Sequence, residues 1–550
     1  MRKRTLSMVN GIHWLLLGMI SLTSIAVAQS GAGAKGQQGG APTIFFTDVE
    51  AGPVTGGPNN LGVPISIFGK GFGSARGSSQ ITIGGKEVAA YLVWGANTAH
   101  NSQLDMIVVQ PGAKVSGGPI VITVDGRSSS SEHTFAARTG TVRYVAPKAS
   151  DNKNCSSATT CATILNAVSV MKPGDTLLVR GGPYNEGEVW IRSTEGGQPG
   201  SPKIIKNYPA EEVYLVNAAR PFIVDADFVT VSGLNFQNGK ALFAAGWASA
   251  QQRGNRFINN TFRGVIDWGA IETVGSDHLL GGNVCEVSGS TTGTMGHCYY
   301  VTAGDNVKVL FNIGSGAPGY GLHIYDERRS AQDYRRMIRN TLVEGNILKN
   351  STERSGMIIS MTDAGGLGNI IDGIVVRNNI FIGNNHAGLV VTGICRNIRI
   401  YNNTFYQNGR VALYIDNAAN IESVDVANNL FYQSPNGSCR NNCYTMTEGH
   451  TFIGQSAKNV STRNNFYGPG RAKMTGITDR SPISGAIEFV NPALMNFRVS
   501  GSAPVVDRGV RLEPVPKDFD GQSRPQGNAY DIGAFEYSAK AAPQAAASLR

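Results

Sequence analysis

The sequence predicts an all-β chain in which a β-sandwich precedes a parallel β-helix. The chain has 550 residues with 69 glycines and only 16% charged residues, which favours turn-rich β structure over helical bundles. An early segment alternates apolar and polar residues between glycine turns, and a later one repeats an asparagine motif roughly every 25 residues. The length exceeds one ordinary core, so we expect at least two folded units.

The N-terminus has the pattern of a secretory signal peptide over residues 1–28. A basic start at residues 2–4 precedes an apolar run, and Ala26 and Ala28 form a small-x-small cleavage pair. The run is shorter than the roughly 20 residues that span a bilayer. We therefore expect a secreted, cell-surface or periplasmic protein without a transmembrane anchor, in which residues 29–41 form a flexible linker.

The first folded segment contains four alternating stretches typical of sandwich strands. They are "PISIFGKGFG" at 64–73, "QITIGGKEV" at 80–88, "LDMIVVQPG" at 104–112 and "PIVITVDGRSSSSEHTF" at 119–135. With the opening "PTIFFTDVEAGPVTGG", the segment 42–138 resembles an IPT/TIG immunoglobulin-like domain. The resemblance implies an accessory or spacer module without catalytic residues of its own.

The second segment carries the repeated asparagine motif. Asn379, Asn403 and Asn429 are 24 and 26 residues apart, which is the length of one coil of a parallel β-helix. Asparagines at the same bend of successive coils can stack as a hydrogen-bonded ladder. Longer separations between residues 283 and 379 predict projecting loops.

Both ends of this segment resemble secreted proteins of the pectate-lyase-like superfamily. "RYVAPKASDNKNCSSATTCATILNAVSVMKPGDTLLVRGGPYNE" at 143–186 is similar to their capped first coil, and "KDFDGQSRPQGNAYDIGAFEY" at 517–537 to their C-terminal motif. This resemblance and the IPT/TIG one together imply an immunoglobulin-like β-sandwich followed by a right-handed parallel β-helix solenoid over 139–500. A closing segment at 501–537 and a disordered tail at 538–550 complete the expected organisation.

Candidate site residues gather where "HCYYVT" and "YGLHIY" align as strands on adjacent coils. Strand alternation turns one set of side chains outward on a shared sheet face, beside a charged loop. The candidate catalytic residues are His297, Tyr300, His323, Tyr325 and Arg328, and the candidate substrate-binding residues are Asp326, Glu327 and Arg329.

These residue types suit lyase or epimerase chemistry on an acidic polysaccharide. Either reaction removes a proton next to a carboxylate whose charge must be neutralised. His323 or His297 is the candidate base, and Tyr300 or Tyr325 the candidate proton donor to a leaving oxygen. Arg328, another loop arginine or a bound cation would neutralise the carboxylate.

Three other interpretations of the same residues stay open. A glycoside hydrolase would need two nearby carboxylates, for which the candidates are Asp326, Glu327, Asp363 and Asp416. An adhesive protein would bind polysaccharide without turnover, and a structural role would leave the histidines and tyrosines as ordinary surface groups. Replacing His323 by Ala is expected to lower turnover about a hundredfold with little loss of stability.

Cysteines and charges complete the sequence-based expectations. Close spacing in an exported chain predicts disulfides Cys155–Cys161 and Cys439–Cys443. Cys285 can meet Cys298 across adjacent turns, and Cys395 is then the candidate for an unpaired cysteine. The net charge of +9 is not gathered into long Lys/Arg runs, so we expect no nucleic-acid partner. We expect a monomer and no metal site, although calcium at Asp48, Asp151 and Asn152 stays open.

Overall fold

A computed structural model gives the structure of the protein. It describes residues 40–95, 99–150, 154–155, 161–216, 222–237, 242–244, 252–265, 269–289, 296–326, 337–361, 370–416, 418, 420–432, 449–469 and 474–539. Within these residues the fold is almost entirely β, with one seven-residue α-helix, α1 (Ile164–Val170). The all-β prediction is confirmed.

The N-terminal unit is a sandwich of two small sheets. One sheet has the order β1-β3-β7-β6, from β1 (Thr43–Thr47), β3 (Ile65–Lys70), β6 (Ala90–Gly95) and β7 (Asp105–Gln110). The other contains β2 (Ala51–Gly52), β4 (Gln80–Ile83), β5 (Lys86–Glu87), β8 (Gly118–Val124), β9 (Arg127–Ser128) and β10 (Thr134–Ala137). Apolar side chains of both sheets form the core between them, as their alternation predicts.

The second unit is a parallel β-helix, as predicted. Every coil contributes strands that pair in parallel with the same strands of the next coil. Side chains that alternate inward form one continuous hydrophobic core along the helix, and α1 covers its first coils. The strands form three faces.

The first face, called the sandwich face, lies beside the N-terminal unit. Its strands are β11 (Val142–Val145), β12 (Thr176–Val179), β15 (Lys203–Asn207), β18 (Val229–Ser232), β22 (Arg256–Ile258), β25 (Leu279–Gly281), β28 (Lys308–Leu310), β31 (Ile338–Arg339), β32 (Leu342–Glu344), β35 (Ile371–Asp372), β36 (Val375–Arg377), β39 (Cys395–Tyr401), β42 (Ile421–Ala427) and β45 (Ser461–Arg463).

The second face, called the C-terminal face, is packed against the end of the chain. Its strands are β13 (Gly182–Tyr184), β16 (Val213–Val216), β19 (Leu234–Gln237), β23 (Thr261–Val265), β26 (Val284–Gly289), β29 (Ile313–Ser315), β33 (Ile347–Lys349), β37 (Ile380–Ile382), β40 (Thr404–Tyr406), β43 (Leu430–Tyr432), β46 (Phe466–Tyr467) and β48 (Ile483–Ser484).

The third face, called the aromatic face, carries the candidate residues. Its strands are β14 (Val189–Ile191), β17 (Phe222–Val224), β20 (Leu242–Ala244), β24 (Gly269–Ser276), β27 (His297–Asp305), β30 (Leu322–Asp326), β34 (Met357–Met361), β38 (Ala387–Val391), β41 (Val411–Ile415), β44 (Thr451–Ile453) and β47 (Met474–Gly476). The short β21 (Gln252–Arg253) pairs with the end of β24, where this face meets the sandwich face.

A buried asparagine ladder runs along the bend before the C-terminal face. Each side-chain oxygen accepts from the backbone N–H and the amide of the asparagine one coil earlier, at about 3 Å. Each amide also donates to a backbone carbonyl of the earlier coil. The ladder ends on the Asp479 carboxylate. Its members are Asn260, Asn283, Asn312, Asn346, Asn379, Asn403, Asn429 and Asn465.

The sandwich lies against the side of the β-helix. Asp48 and Lys206 form an ion pair at 2.6 Å, with side chains 0% and 1% exposed. Phe45 stacks on Phe311 with ring centroids 3.9 Å apart, and Arg256 pairs with Glu50. These contacts pack the sandwich directly on the β-helix, and the expectation of an accessory or spacer module stays a prediction.

The end of the chain covers the C-terminal face. Phe497 and Phe519 pack against Ile313 and Ile347 of that face, and Arg524 forms a buried ion pair with Glu536. The C-terminal segment and the sandwich thus cover parts of two of the three faces. We describe the outer surface of the third face below.

The structure pairs four of the cysteines. Disulfides join Cys155 to Cys161 and Cys285 to Cys298, and Cys395 is a buried free thiol. The predicted pair of residues 439 and 443 lies outside the described residues. No helix in the described part of the chain has the length and apolar character needed to cross a membrane.

Candidate functional site

One column of residues runs along the aromatic face in strand register. Its members occupy the middle of successive strands, and neighbouring coils are about 4.8 Å apart. The predicted alignment of Tyr300 with His323 is the observed one. The outward column contains Trp190, Ile223, Glu272, Tyr300, His323, Ile358, Val390, Tyr414 and Phe452, and the backbone pairing of β20 carries the register from Ile223 to Glu272.

An aromatic cluster occupies the centre of this column. The His323 ring stacks on the Tyr300 ring, with centroids 4.3 Å apart and an angle of 16° between the planes. The centroid of the His297 ring lies 4.3 Å from that of His323. Tyr320 and Tyr325 flank His323 at 5.0 and 5.1 Å. Four of the predicted candidates, His297, Tyr300, His323 and Tyr325, are therefore neighbours.

The cluster is more deeply buried than an outward position suggests. Tyr300 is 0% exposed, His297 1% and His323 7%, whereas Tyr320 and Tyr325 are partly exposed. The neighbouring rings cover one another, so alternation gives their direction correctly but not their exposure. His323, Tyr320 and Tyr325 therefore form the outer part of the cluster, and His297 and Tyr300 lie beneath them.

The two histidines each have a ring nitrogen without a hydrogen-bond partner among the described residues. His297 Nδ1 accepts the Tyr320 backbone N–H at 3.0 Å, so the neutral His297 ring carries its proton on Nε2, which is the unpartnered atom. In His323 the unpartnered atom is Nδ1. Leaving a buried polar atom unpartnered costs about 1–3 kcal/mol, a cost that often marks a functional site.

Burial keeps both histidines neutral. It lowers the pKa of His297 to about 3 and that of His323 well below 6.5, and the charge of Arg354 lowers both pKa values further. Both imidazoles are therefore uncharged near neutral pH. Burial also raises the pKa of Tyr320, which keeps that phenol protonated.

Sequence reasoning missed three residues at this site. Arg354 donates a hydrogen bond to the Tyr320 side chain and is the cation that acts on both histidines. Glu272 pairs with Tyr300 across adjacent strands. Aligning "GAIETV" with "HCYYVT" would have found Glu272, but only the fold brings Arg354 and Tyr320 together.

The predicted acidic rim residue Asp326 does not belong to the site surface. It ends β30 on the inward side with Leu322 and Ile324, and it is 0% exposed. Alternation explains the correction, because Asp326 is one residue beyond the outward Tyr325. Three other predicted residues, at positions 327, 328 and 329, lie outside the described residues, as does 363.

The described residues do not support the calcium site. Asp48 is occupied by Lys206, by the Ser66 N–H at 2.8 Å and by the Ser232 hydroxyl at 3.0 Å. A lysine ammonium in contact with the carboxylate repels a second cation, so this expectation is wrong for Asp48. Residues 151 and 152 are not described, and no group of three metal-ligating side chains occurs among those that are.

The two hydrolase candidates that the structure describes, Asp326 and Asp416, are not close neighbours. Their coils are three steps, or about 14 Å, apart, whereas glycosidases place their carboxylates roughly 5 to 10 Å apart. Asp416 accepts hydrogen bonds from the Thr392 and Tyr414 hydroxyls, and Asp326 is buried. These two residues therefore do not form a glycosidase pair.

Comparison with known proteins identifies the N-terminal domain. Residues 46–137 match the IPT/TIG domain family. No curated protein sequence matches the chain.

Solved structures to which the chain is similar include a pectate lyase, an exopolygalacturonase and a rhamnogalacturonan lyase. Pectate lyase Pel9A is 14% identical, with 73% of this chain and 97% of that one covered and a TM-score of 0.42. A family 28 exopolygalacturonase from Yersinia enterocolitica is 11% identical, with 81% and 96% covered and a TM-score of 0.43. A rhamnogalacturonan lyase is 14% identical, with 59% and 87% covered and a TM-score of 0.38. The described part of the chain therefore contains an IPT/TIG domain, which the family match identifies, and a parallel β-helix, which its own strand pairing shows.

Proposed function

We propose that the protein acts on an acidic polysaccharide by removing the proton next to a uronate carboxylate. The observation that carries this proposal is the neutral His323, which lies beside the partly exposed Tyr320 and Tyr325 and near the cation Arg354. A base and a cation side by side are what abstraction of a weakly acidic C–H requires.

The cluster supplies a role for each group. His323 accepts the C5 proton, and the positive charge of Arg354 stabilises the carboxylate as negative charge develops on it. In a lyase the C4–O bond then breaks, a C4–C5 double bond forms, and a tyrosine hydroxyl protonates the departing oxygen. In an epimerase no bond to oxygen breaks, and a second acid, Tyr320 or Tyr325, instead donates a different proton to C5 from the opposite face.

Tyr320 or Tyr325 is the proton donor of this scheme. Both lie beside His323 and are partly exposed, whereas Tyr300 is covered. Tyr300 and His297 position His323 by ring stacking and edge contact. Tyr300 therefore has a positioning role in this scheme, and one of its two neighbours donates the proton.

We further propose that the protein is exported, to the cell surface, the periplasm or the medium. Two disulfides support this location, because disulfides form and persist in oxidising compartments. Acidic polysaccharides are substrates that an exported enzyme meets there.

The reaction is tested by incubating wild-type protein with pectic, alginate and glycosaminoglycan chains in deuterium oxide. Elimination gives ultraviolet absorbance of unsaturated products, and epimerisation gives deuterium at C5 by NMR. We expect one of the two signals on at least one substrate. Binding without either signal would instead favour the adhesive interpretation, and no binding to any chain would refute the proposal.

The role of Arg354 is tested with Arg354→Gln and Arg354→Lys. The glutamine variant is expected to lose at least about tenfold in kcat/KM, the size of one charge contact of roughly 1.4 kcal/mol. The lysine variant retains the charge and is expected to recover part of the activity. Equal activity of all three proteins would exclude Arg354 from the site.

A further inference from the structure

An exposed tryptophan lies at the N-terminal end of the outward column. Trp190 is 43% exposed and is the one aromatic among the four large exposed hydrophobic side chains of the described residues. Its neighbours Val189 and Ile191 are buried in the core, so alternation turns Trp190 outward on the aromatic face. Trp190 therefore presents its ring to solvent in register with the proposed catalytic cluster, and Arg192 lies beside it.

The distance from Trp190 to the cluster matches a polymer. Five coil steps separate it from His323, which is about 24 Å along the β-helix axis. One coil step is close to the length of one sugar unit in an extended polysaccharide. A single sugar at His323 cannot touch Trp190, but a chain of several units along the column can.

A free cation accompanies the tryptophan. The Arg192 guanidinium lies 5.7 Å from the centre of the Trp190 ring. The Arg192 guanidinium forms no ion pair or hydrogen bond among the described residues. The nearby Glu195 carboxylate accepts a hydrogen bond from the Arg192 backbone N–H. The pair combines an apolar ring with an uncompensated positive charge.

We propose that Trp190 and Arg192 form a remote subsite for one unit of an acidic polysaccharide chain. The C–H groups of a pyranose carry slight positive charge and pack on the electron-rich face of the indole. The carboxylate of the same uronate unit pairs with the guanidinium. This inference rests on the proposed function and adds that the substrate is a long chain lying along the β-helix axis.

The opposite end of the column has an aromatic surface as well. Tyr414 and Phe452 are partly exposed and stack with centroids 4.9 Å apart. Tyr414 is three coil steps, or about 14 Å, beyond His323. A chain that contacts both ends would have its reacting unit in the interior, so the enzyme would act within chains rather than at their ends.

The experiment compares short and long oligouronates of the substrate that wild type converts. A chain of about four sugar units is too short to reach from His323 to Trp190, whereas a chain of about ten units can span the column. The variants are Trp190→Ala and Arg192→Ala. Leu165→Ala is the matched control, because Leu165 is 44% exposed on α1, outside the column.

We expect Trp190→Ala to raise KM for long chains roughly tenfold, the effect of losing one ring contact, with kcat unchanged. KM for short chains should stay at the wild-type value, and the control should match wild type on both. Arg192→Ala should raise KM for long acidic chains. KM for the methyl esters of the same chains should stay unchanged, because these esters lack the carboxylate charge.

Two results separate the subsite from the proposed function. Wild-type turnover with equal KM values for wild type and Trp190→Ala on long chains would overturn the subsite and leave the reaction standing. Wild-type inactivity on every acidic chain, in turnover and in binding, would overturn the proposed function and the subsite with it. An equal rise of KM on short and long chains would also contradict a remote subsite.

Discussion

Single residues fix the coil register through buried hydrogen bonds. Asn346 illustrates this, because its oxygen accepts from the N–H and amide of Asn312 while its own amide donates to Val309 and to Asn379. All of these groups are buried where water cannot replace a lost partner. The ladder therefore holds successive coils in one alignment.

Asn346→Ala is expected to destabilise the protein by about 3 kcal/mol or more, since it leaves several buried groups unpartnered. Asn166→Ala on α1 is the control, because Asn166 is partly exposed and alanine favours helix. Thermal unfolding of both variants measures the difference in stability. A ladder variant as stable as the control would show that the stacked amides contribute little.

The pH dependence of activity should reflect the buried base. The pKa of His323 is lower in the folded protein than the 6.5 of an exposed histidine, so the imidazole stays neutral as the pH falls below 6.5. We expect the acidic limb of kcat/KM to lie clearly below pH 6.5. A limb at the ordinary histidine value would show that an exposed histidine is the base.

The same shift affects stability. Below pH 6.5 the unfolded chain binds protons at His297 and His323 that the folded protein excludes. Their contribution to stability is therefore fully present above that pH and is lost as the pH falls towards about 3, the folded pKa of His297.

Sequence reasoning reached the position of these residues but not their surroundings. The coil period and the alternation of side chains along a strand place Tyr300 beside His323. Both patterns depend only on local spacing in the sequence. The burial of the cluster depends on Tyr320 and Arg354, whose distances to the histidines are set by the stacking of whole coils. The expected stability of His323→Ala is corrected for this reason, since removing a ring from a packed cluster leaves a void.

At the scale of elements, strand β27 connects the site to the core. It begins at His297 and contains Cys298 and Tyr300, and the disulfide to Cys285 attaches it to β26 of the C-terminal face. This pairing crosses a bend of the coil, so the sequence offered it only as one geometric option. The bond holds the first half of β27 in place beneath the cluster.

Replacing Cys285 and Cys298 by Ser is expected to lower the free energy of unfolding by about 3 kcal/mol and to reduce kcat/KM. The control replaces Cys155 and Cys161, whose disulfide lies near α1 at the first coils. That control should lose stability but retain kcat/KM. Equal activity loss in both would argue against a positioning role for β27.

At the scale of the whole molecule, the sandwich and the β-helix share an interior. The Asp48–Lys206 pair and the Phe45–Phe311 stack join residues far apart in sequence. No periodicity encodes such contacts, so the sequence did not predict them. The contacts predict that both units unfold together.

Lys206→Met leaves the Asp48 carboxylate buried without its counter-charge and is expected to cost about 3–5 kcal/mol. Calorimetry should show one transition at a lower temperature. The exposed pair of Arg76 and Glu87 gives the control, and Arg76→Met should change stability by under about 1 kcal/mol. A second transition with the β-helix unaffected would contradict shared unfolding.

The most direct test of the central claim is the activity and thermal stability of His323→Phe measured side by side. Phenylalanine retains the ring that packs against Tyr300 and His297 and removes the nitrogen without a partner. The account predicts a loss of at least about a hundredfold in kcat/KM on the acidic chain, with an unchanged or raised Tm. Full activity of His323→Phe, or a collapse of its Tm, would show that His323 serves structure and not catalysis.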